Sequence, residues 1–245
     1  VSPVGSPFDA LVDAYDAGRP AYPPRLYDAI EQRARPLQGA DVIEIGAGTG
    51  IATRELRRRG ARVVAVDIGV QMLQRLRDRT PGQPAVLAMA EALPFADNTA
   101  DLVCCAQAWH WVDADSAGPE ARRVLRPGGV LAVWWNNVTA DGLPWFEAQQ
   151  ARIETMNPSY SRHYRERAYD EALARYFSRI EICTTAWSRT LPVEDYLVWL
   201  RSKSYVAAIG PRLPEFLAEE EASLLMAFPD GQVVEPFGVH LVVAR

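Results

Sequence analysis

Short apolar runs of strand length alternate with longer stretches of helical patterning through the first half of this chain. Runs at 41–45, 62–67, 85–89, 101–106 and 130–136 predict strands, and the stretches 51–59, 70–79 and 116–125 predict helices between them. Such alternation argues for a parallel sheet with helices on both faces. The run from Asp101 to Ala106 is apolar almost throughout, as a central strand buried on both faces should be. Ahead of it, Pro23-Pro24 pre-sets the first turn of a helix over about 25–35, which Pro36 and Gly39 stop. Leu125-Arg126-Pro127-Gly128-Gly129 reads as a helix-end turn leading into the fifth strand. After Asn136 the pattern changes. Residues 143–178 are helical in outline but rich in Tyr, Arg and Trp, and a helical pair follows at 193–203 and 214–227. Strands return at 179–187 and at 237–244, the latter starting after Pro236. The expected fold is α/β: a doubly wound, mostly parallel seven-stranded sheet with a helical cap inserted near the C-terminal strands.

One segment carries chemistry. The strand Val42-Ile43-Glu44-Ile45 runs into Gly46-Ala47-Gly48-Thr49-Gly50, a helix follows, and the next strand ends on Asp67. Glycines let the backbone approach a ligand, and an acid at the tip of the second strand can accept hydrogen bonds from ribose hydroxyls. A dinucleotide fingerprint reads G-x-G-x-x-G/A, but its last position here is Ile51, and the third glycine comes one residue early. A carboxylate at Glu44, two residues before the first glycine, suits a cationic ligand better than a pyrophosphate. S-adenosylmethionine carries an ammonium and a sulfonium and no phosphate, so it, with S-adenosylhomocysteine as product, is the expected cofactor.

Composition narrows the rest. With 245 residues the chain is expected to form one domain. Residues 1–40 are read as a lead and helix closing over the cofactor, 41–137 as the cofactor-binding core, and 138–245 as the last strands with a helical substrate cover. Acidic residues outnumber basic ones, 31 to 26, giving a net charge of −5 and no global attraction to nucleic acid or anionic lipid. No apolar stretch approaches the roughly 20 residues needed to span a membrane, and no signal-peptide pattern opens the sequence. Cys104 and Cys105 adjoin inside an apolar strand, and Cys183 is the third cysteine, so neither a disulfide framework nor a metal site is expected. The expectation is a cytoplasmic monomer or homodimer acting on a small-molecule substrate, with no nucleic-acid or membrane partner.

The segments Glu44-Ile45-Gly46-Ala47-Gly48-Thr49-Gly50, Ala90-Glu91-Ala92-Leu93-Pro94-Phe95, Asp101-Leu102-Val103 and Leu125-Arg126-Pro127-Gly128-Gly129 stand in the order and spacing of class I S-adenosylmethionine-dependent methyltransferases, whose core is Rossmann-like. Two more, Tyr15-Asp16-Ala17-Gly18-Arg19-Pro20-Ala21-Tyr22-Pro23 and Ala106-Gln107-Ala108-Trp109-His110-Trp111, resemble the small-molecule branch that includes trans-aconitate methyltransferase-like (methyltransferase type 11) proteins. The resemblance implies that Glu44 and the turn Gly46, Ala47, Gly48, Thr49 and Gly50 pass beneath the methionine part of the cofactor. It implies that Asp67 holds the ribose, that Ile68 and Met72 flank the adenine, and that Ala90 and Glu91 meet the adenine edge. Ala106 and Gln107 would border the cofactor after the fourth strand. Tyr15 and Arg19 would close over it, with the guanidinium available to the methionine carboxylate. The chain departs from a common pattern at Met89, where an acid often precedes that alanine.

The implied reaction is methyl transfer to a small molecule, with O-methylation favoured over N- or C-methylation of a small molecule or natural-product intermediate. A protein that binds the cofactor on this scaffold without transferring a methyl is the alternative from another class. Gln107 and His110 follow the fourth strand, where an acceptor should enter, and are the candidate catalytic residues. His110 is either a general base or a histidine packed between Trp109 and Trp111. An ionised carboxylate acceptor needs no base, only a cationic or hydrogen-bonding clamp. Trp134-Trp135-Asn136-Asn137 reaches the same rim. The cluster Arg162-His163-Tyr164-Arg165-Glu166-Arg167 in the cover is a solvated helix face or an anion-recognising feature.

Overall fold

The structure is a computed structural model that describes residues 19–161 and 172–245. The chain order is α1 (Pro24–Arg33), β1 (Asp41–Ile45), α2 (Ile51–Arg58), β2 (Arg62–Asp67), α3 (Val70–Arg79), β3 (Ala85–Leu87) and β4 (Ala100–Ala106). A 3₁₀ turn (Trp109–Trp111), α4 (Ala114–Val124), β5 (Leu125–Val138) and α5 (Pro144–Met156) follow, then β6 (Ile180–Pro192), α6 (Val193–Arg201), α7 (Ser204–Ala207), α8 (Leu213–Ala227) and β7 (Gln232–Ala244). The seven strands lie in the order β3-β2-β1-β4-β5-β7-β6. The first five pair in parallel, and β7 runs antiparallel to both β5 and β6. The expected doubly wound α/β architecture is therefore present.

Successive residues of the central strands face opposite sides, as a strand period of two requires. Val42, Cys104 and Trp134 pack with α1 and α2 on one face, where Leu26, Tyr27, Ile30 and Leu56 are buried. Ile43, Cys105, Val133 and Trp135 pack with α4 and Phe177 on the other. The two neighbouring cysteines thus fill two different cores as small apolar residues. A third core, built from Ile153, Tyr196, Trp199, Leu200, Phe216 and Leu224, joins α5, α6 and α8 to Val233 at the start of β7.

Three boundaries depart from expectation. Strand β3 ends at Leu87 rather than 89, because its partner β2 ends at Asp67, which pairs with Leu87 and accepts the last bond from Ala88 N (3.1 Å). Residues 126–129 do not precede the fifth strand as a helix-end turn but lie within β5 as a bulge-like excursion: Ala100 pairs Leu125 while Leu102 already pairs Val130. Strands β6 and β7 extend into a long hairpin that continues past the end of β5 at Val138 to the pair Pro192–Gln232. Pro236 sits inside β7 because β5 has ended there, so no ladder bond on that side needs its missing N–H.

Candidate active site

Strand order reverses between β1 and β4, and the carboxyl ends of β1, β2, β4 and β5 open there into a cavity of about 1150 Å³. Ligands bind at such a reversal because the flanking connections leave in opposite directions and open a crevice. The volume exceeds the range of about 300–1,000 Å³ common for single-ligand pockets. It therefore has room for a nucleoside and a second small molecule together.

The glycine turn makes the crevice. Gly46 (φ +66°), Gly48 (φ +56°) and Gly50 (φ +84°) all occupy the left-handed region, where a side chain is strained. A Cβ on Gly46 would fall 2.4 Å from Ala108 Cβ, so the turn can approach the end of β4 only without one. Gly48 has nothing within 4 Å on that side and lines the cavity with bare backbone. Gly50 caps α2, and a Cβ there would lie 3.0 Å from Leu76 Cγ of α3, so the third glycine serves close packing. Asp67 closes the other wall. Its Oδ2 accepts from Gly48 N (2.8 Å) and its Oδ1 from Gly69 N (2.7 Å). These two bonds hold the carboxylate at the cavity wall, which it lines. A bare-backbone cradle beside a fixed carboxylate fits a nucleoside whose ribose presents two donors.

Ile68, Met72, Ala90, Glu91, Ala106, Gln107, His110 and Arg19 also line the cavity. Met72 is buried and still reaches it. Glu91 also holds the backbone in place, since its Oε1 accepts from Asp113 N (2.9 Å) just before α4. Ala47, Thr49 and Gly50 lie behind the lining. Ala47 packs on Ala65 and Leu76, and Thr49 is buried.

Glu44 corrects one step of the sequence argument. It does not face the cavity. Its carboxyl is buried and accepts from Thr53 Oγ1 of α2 (2.5 Å), and desolvation pushes its pKa up to about 8. It is therefore mostly neutral at pH 7, and the expected attraction between a Glu44 carboxylate and a cationic ligand does not operate. Glu44 instead ties β1 to α2 below the glycine turn. Tyr15 and the cluster 162–167 lie outside the described residues.

At the end of β4 the structure brings both candidate catalytic residues to the cavity. Gln107 has φ +58°, an uncommon conformation for a side-chain-bearing residue. Its Nε2 donates to Asn136 O of β5 (2.8 Å), which fixes the amide at the rim. His110 sits on the 3₁₀ turn between fully buried Trp109 and exposed Trp111, and its Nδ1 accepts from Trp135 Nε1 (3.3 Å).

The cap supplies residues that sequence reasoning missed. Lys203, between α6 and α7, is 6% exposed, lines the cavity and holds its Nζ 4.5 Å from the Trp199 ring centre and 5.9 Å from that of Tyr205. Arg19 lies over the other part of this wall, its Cζ 5.4 Å from the Trp199 centre. Trp199 is itself fixed by Nε1 donating to buried Glu235 (2.8 Å), which also takes Arg189 Nε (2.8 Å). Tyr160 stacks on Tyr205 (4.4 Å) at the same wall, and His240 of β7 lines the cavity beside Trp135. The cavity is electrically polarised: Asp67 and Glu91 line the end under β2 and β3, and Arg19 and Lys203 line the cap end.

Comparison with known proteins fits this geometry. The methyltransferase domain family matches residues 43–133. An uncharacterized methyltransferase of Mycobacterium tuberculosis is 48% identical over 129 residues, 53% of this chain and 51% of that one. The match thus spans about half the length of that relative. A malonyl-[acyl-carrier protein] O-methyltransferase of Enterobacter lignolyticus is 31% identical over 223 residues, 89% of this chain and 86% of that one. Among solved structures, a protein from Anaeromyxobacter dehalogenans described as a type II methyltransferase superposes with a TM-score of 0.72 at 26% identity, covering 93% of this chain and 97% of that one. Sequence, topology and the cradle at the strand reversal agree: the chain belongs to the class I S-adenosylmethionine-dependent methyltransferases.

Proposed function

We propose that the protein is an O-methyltransferase whose acceptor is a small molecule bearing a carboxylate. When bound, S-adenosylmethionine supplies an electrophilic methyl group on a sulfonium. In this reading Asp67 accepts from the ribose hydroxyls, Gly46 and Gly48 give the cofactor bare backbone, and Ile68 and Met72 make the apolar wall against adenine. Arg19 meets the methionine carboxylate. His110 and Gln107 face the acceptor.

The observation that carries the acceptor class is the cap wall, where Arg19 and Lys203 both line the cavity. Two cations on one wall attract an anionic ligand and repel a cationic one. A carboxylate acceptor brings its own negative charge and releases no proton, so the wall needs only to hold it. The relative from Enterobacter lignolyticus, named for O-methylation, supports the same reaction type. Overall negative charge and a concave site favour a small molecule over nucleic acid.

A screen with methyl-labelled S-adenosylmethionine against carboxylates, phenols and amines tests this. We expect label in base-labile methyl esters. Lys203→Met should raise acceptor KM roughly tenfold or more, the loss of one charge-assisted contact, with cofactor affinity unchanged. Label appearing only in amines or phenols, or a normal acceptor KM in Lys203→Met, would refute the reading.

A further inference from the structure

His240 stands where the cavity meets the antiparallel part of the sheet. It is carried by β7 directly opposite Trp135 of β5, so the two side chains rise from the same face. Their ring centres lie 6.3 Å apart, with the planes tilted by 39°. Trp135 Nε1 donates in turn to His110 Nδ1 (3.3 Å), beyond the end of β4. Because the sheet runs β4-β5-β7, the residues His110, Trp135 and His240 follow one another across it, and all three line the cavity. Neither ring nitrogen of His240 hydrogen-bonds to another described residue, and neither is sealed from solvent. A half-buried imidazole so placed is completed by water or by a ligand.

Position decides between reaction and recognition. Neighbouring strands are about 4.8 Å apart, which puts β7 on the order of 10 Å from β4 and farther still from β1. Gly46 and Ala108 meet at the carboxyl ends of β1 and β4. A methyl group delivered there is out of reach of His240, since reacting atoms must come within about 3–3.5 Å. We propose that His240 is a specificity-determining residue that hydrogen-bonds a second polar group of the acceptor, at the end remote from the methyl-receiving oxygen. The acceptor then spans Trp135, with an apolar middle against the indole and a polar group at each end. The inference rests on the carboxylate reading for the near end alone. An imidazole nitrogen donates or accepts according to its protonation, so the remote group is a hydroxyl, carbonyl or amide and need carry no charge.

Matched aromatic probes separate the two ends. Benzoate, 3-carbamoylbenzoate and 4-carbamoylbenzoate share a carboxylate and differ in the remote amide, and benzamide lacks the carboxylate. Each is titrated into protein saturated with S-adenosylhomocysteine. We expect one carbamoyl isomer to bind the wild type roughly three- to tenfold more tightly than benzoate, the yield of one neutral hydrogen bond. In His240→Phe, which keeps an aromatic ring beside Trp135, that preference should vanish while benzoate affinity stays within about twofold. His240→Gln keeps a donor and an acceptor and should retain the preference. No preference for either isomer in the wild type overturns the proposal, as does a preference that survives in His240→Phe. An equal loss for benzoate and the carbamoyl isomer in that variant also overturns it, because a merely structural histidine would affect both alike. Should His240→Phe not fold, the histidine ring proton resonances of the wild type decide, with His240 assigned by its loss in His240→Gln. Its signal must move more with the preferred isomer than with benzoate, and an unmoved signal overturns the proposal. Failure of the carboxylate reading shows separately, as benzamide binding no more weakly than benzoate.

Discussion

Single residues in this protein often play a different part from the one their position in the motif suggests, and burial decides which. Asp67 and Glu44 are both acids at the ends or middle of core strands, and from sequence alone both read as cofactor ligands. Asp67 stands at a strand tip, half-exposed and fixed by two backbone N–H groups. Glu44 lies deeper in the sheet, fully enclosed and bonded to Thr53. Replacing Asp67 with Ala should therefore remove a charge-assisted hydrogen bond to ribose worth about 1.5–3 kcal/mol, or roughly tenfold or more in cofactor affinity. Calorimetric titration with S-adenosylhomocysteine checks it, and unchanged affinity would remove Asp67 from the ribose site. The glycine spacing and the acid at the strand tip were legible in sequence because local backbone geometry demands them. Lys203 and Trp199 were not, since they stand far along the chain from the turn and reach the cavity only through packing of the cap.

At the level of elements, β1, β2 and β4 were readable to within a residue, because strands at the centre of a parallel sheet are largely apolar, whereas β3 is shorter and β5 longer than their apolar runs. The C-terminal hairpin was not. In β6 half-buried and exposed positions alternate, and Pro236 interrupts β7, so both strands look shorter than they are. The cap helices posed another difficulty. Helix α8 has one face closed by Glu220, which is fully buried and takes Gln149 Nε2 (2.9 Å) and Arg152 Nε (2.9 Å) from α5. A charged residue in the heart of a helix contact defeats an apolar pattern. That ion pair fastens α5 to α8, and Arg152→Ala would leave the Glu220 charge enclosed without its cation. We expect a loss of about 3–5 kcal/mol in denaturant unfolding. Arg152→Met combined with Glu220→Gln should recover much of it, since no charge is then stranded. A loss below about 1 kcal/mol in the single variant would mean that the pair is solvated in solution.

For the whole molecule, ionisation sets opposing trends with pH. Asp41 and Glu120 are held below the usual carboxylate range by hydrogen bonds from Arg62 and Arg123, so their contribution is present above the unfolded values and is lost as pH falls. Glu44 behaves in the opposite sense. Its folded pKa of about 8 lies above the ordinary 4.5, so its contribution is complete below pH 4.5 and is lost as pH rises towards 8. Thermal unfolding of Glu44→Gln across pH 5–8 should show a flatter profile than the wild type, with a difference on the order of a few kcal/mol between the ends of that range. Parallel profiles would contradict it. The long hairpin has a separate consequence for how such an enzyme can be altered. Residues 193–231 leave β6 at Pro192 and return to β7 at Gln232, and these two residues are paired neighbours, with Val193 N bonded to Gly231 O (3.0 Å). The segment that carries Trp199, Lys203 and Tyr205 is thus a closed excursion on a rigid stem, and its two ends keep their separation whatever lies between them. A graft of that excursion from a related chain could change what the wall recognises while the glycine turn stays untouched. The graft has one requirement: α5 must travel with it, because Ile153 shares the cap core.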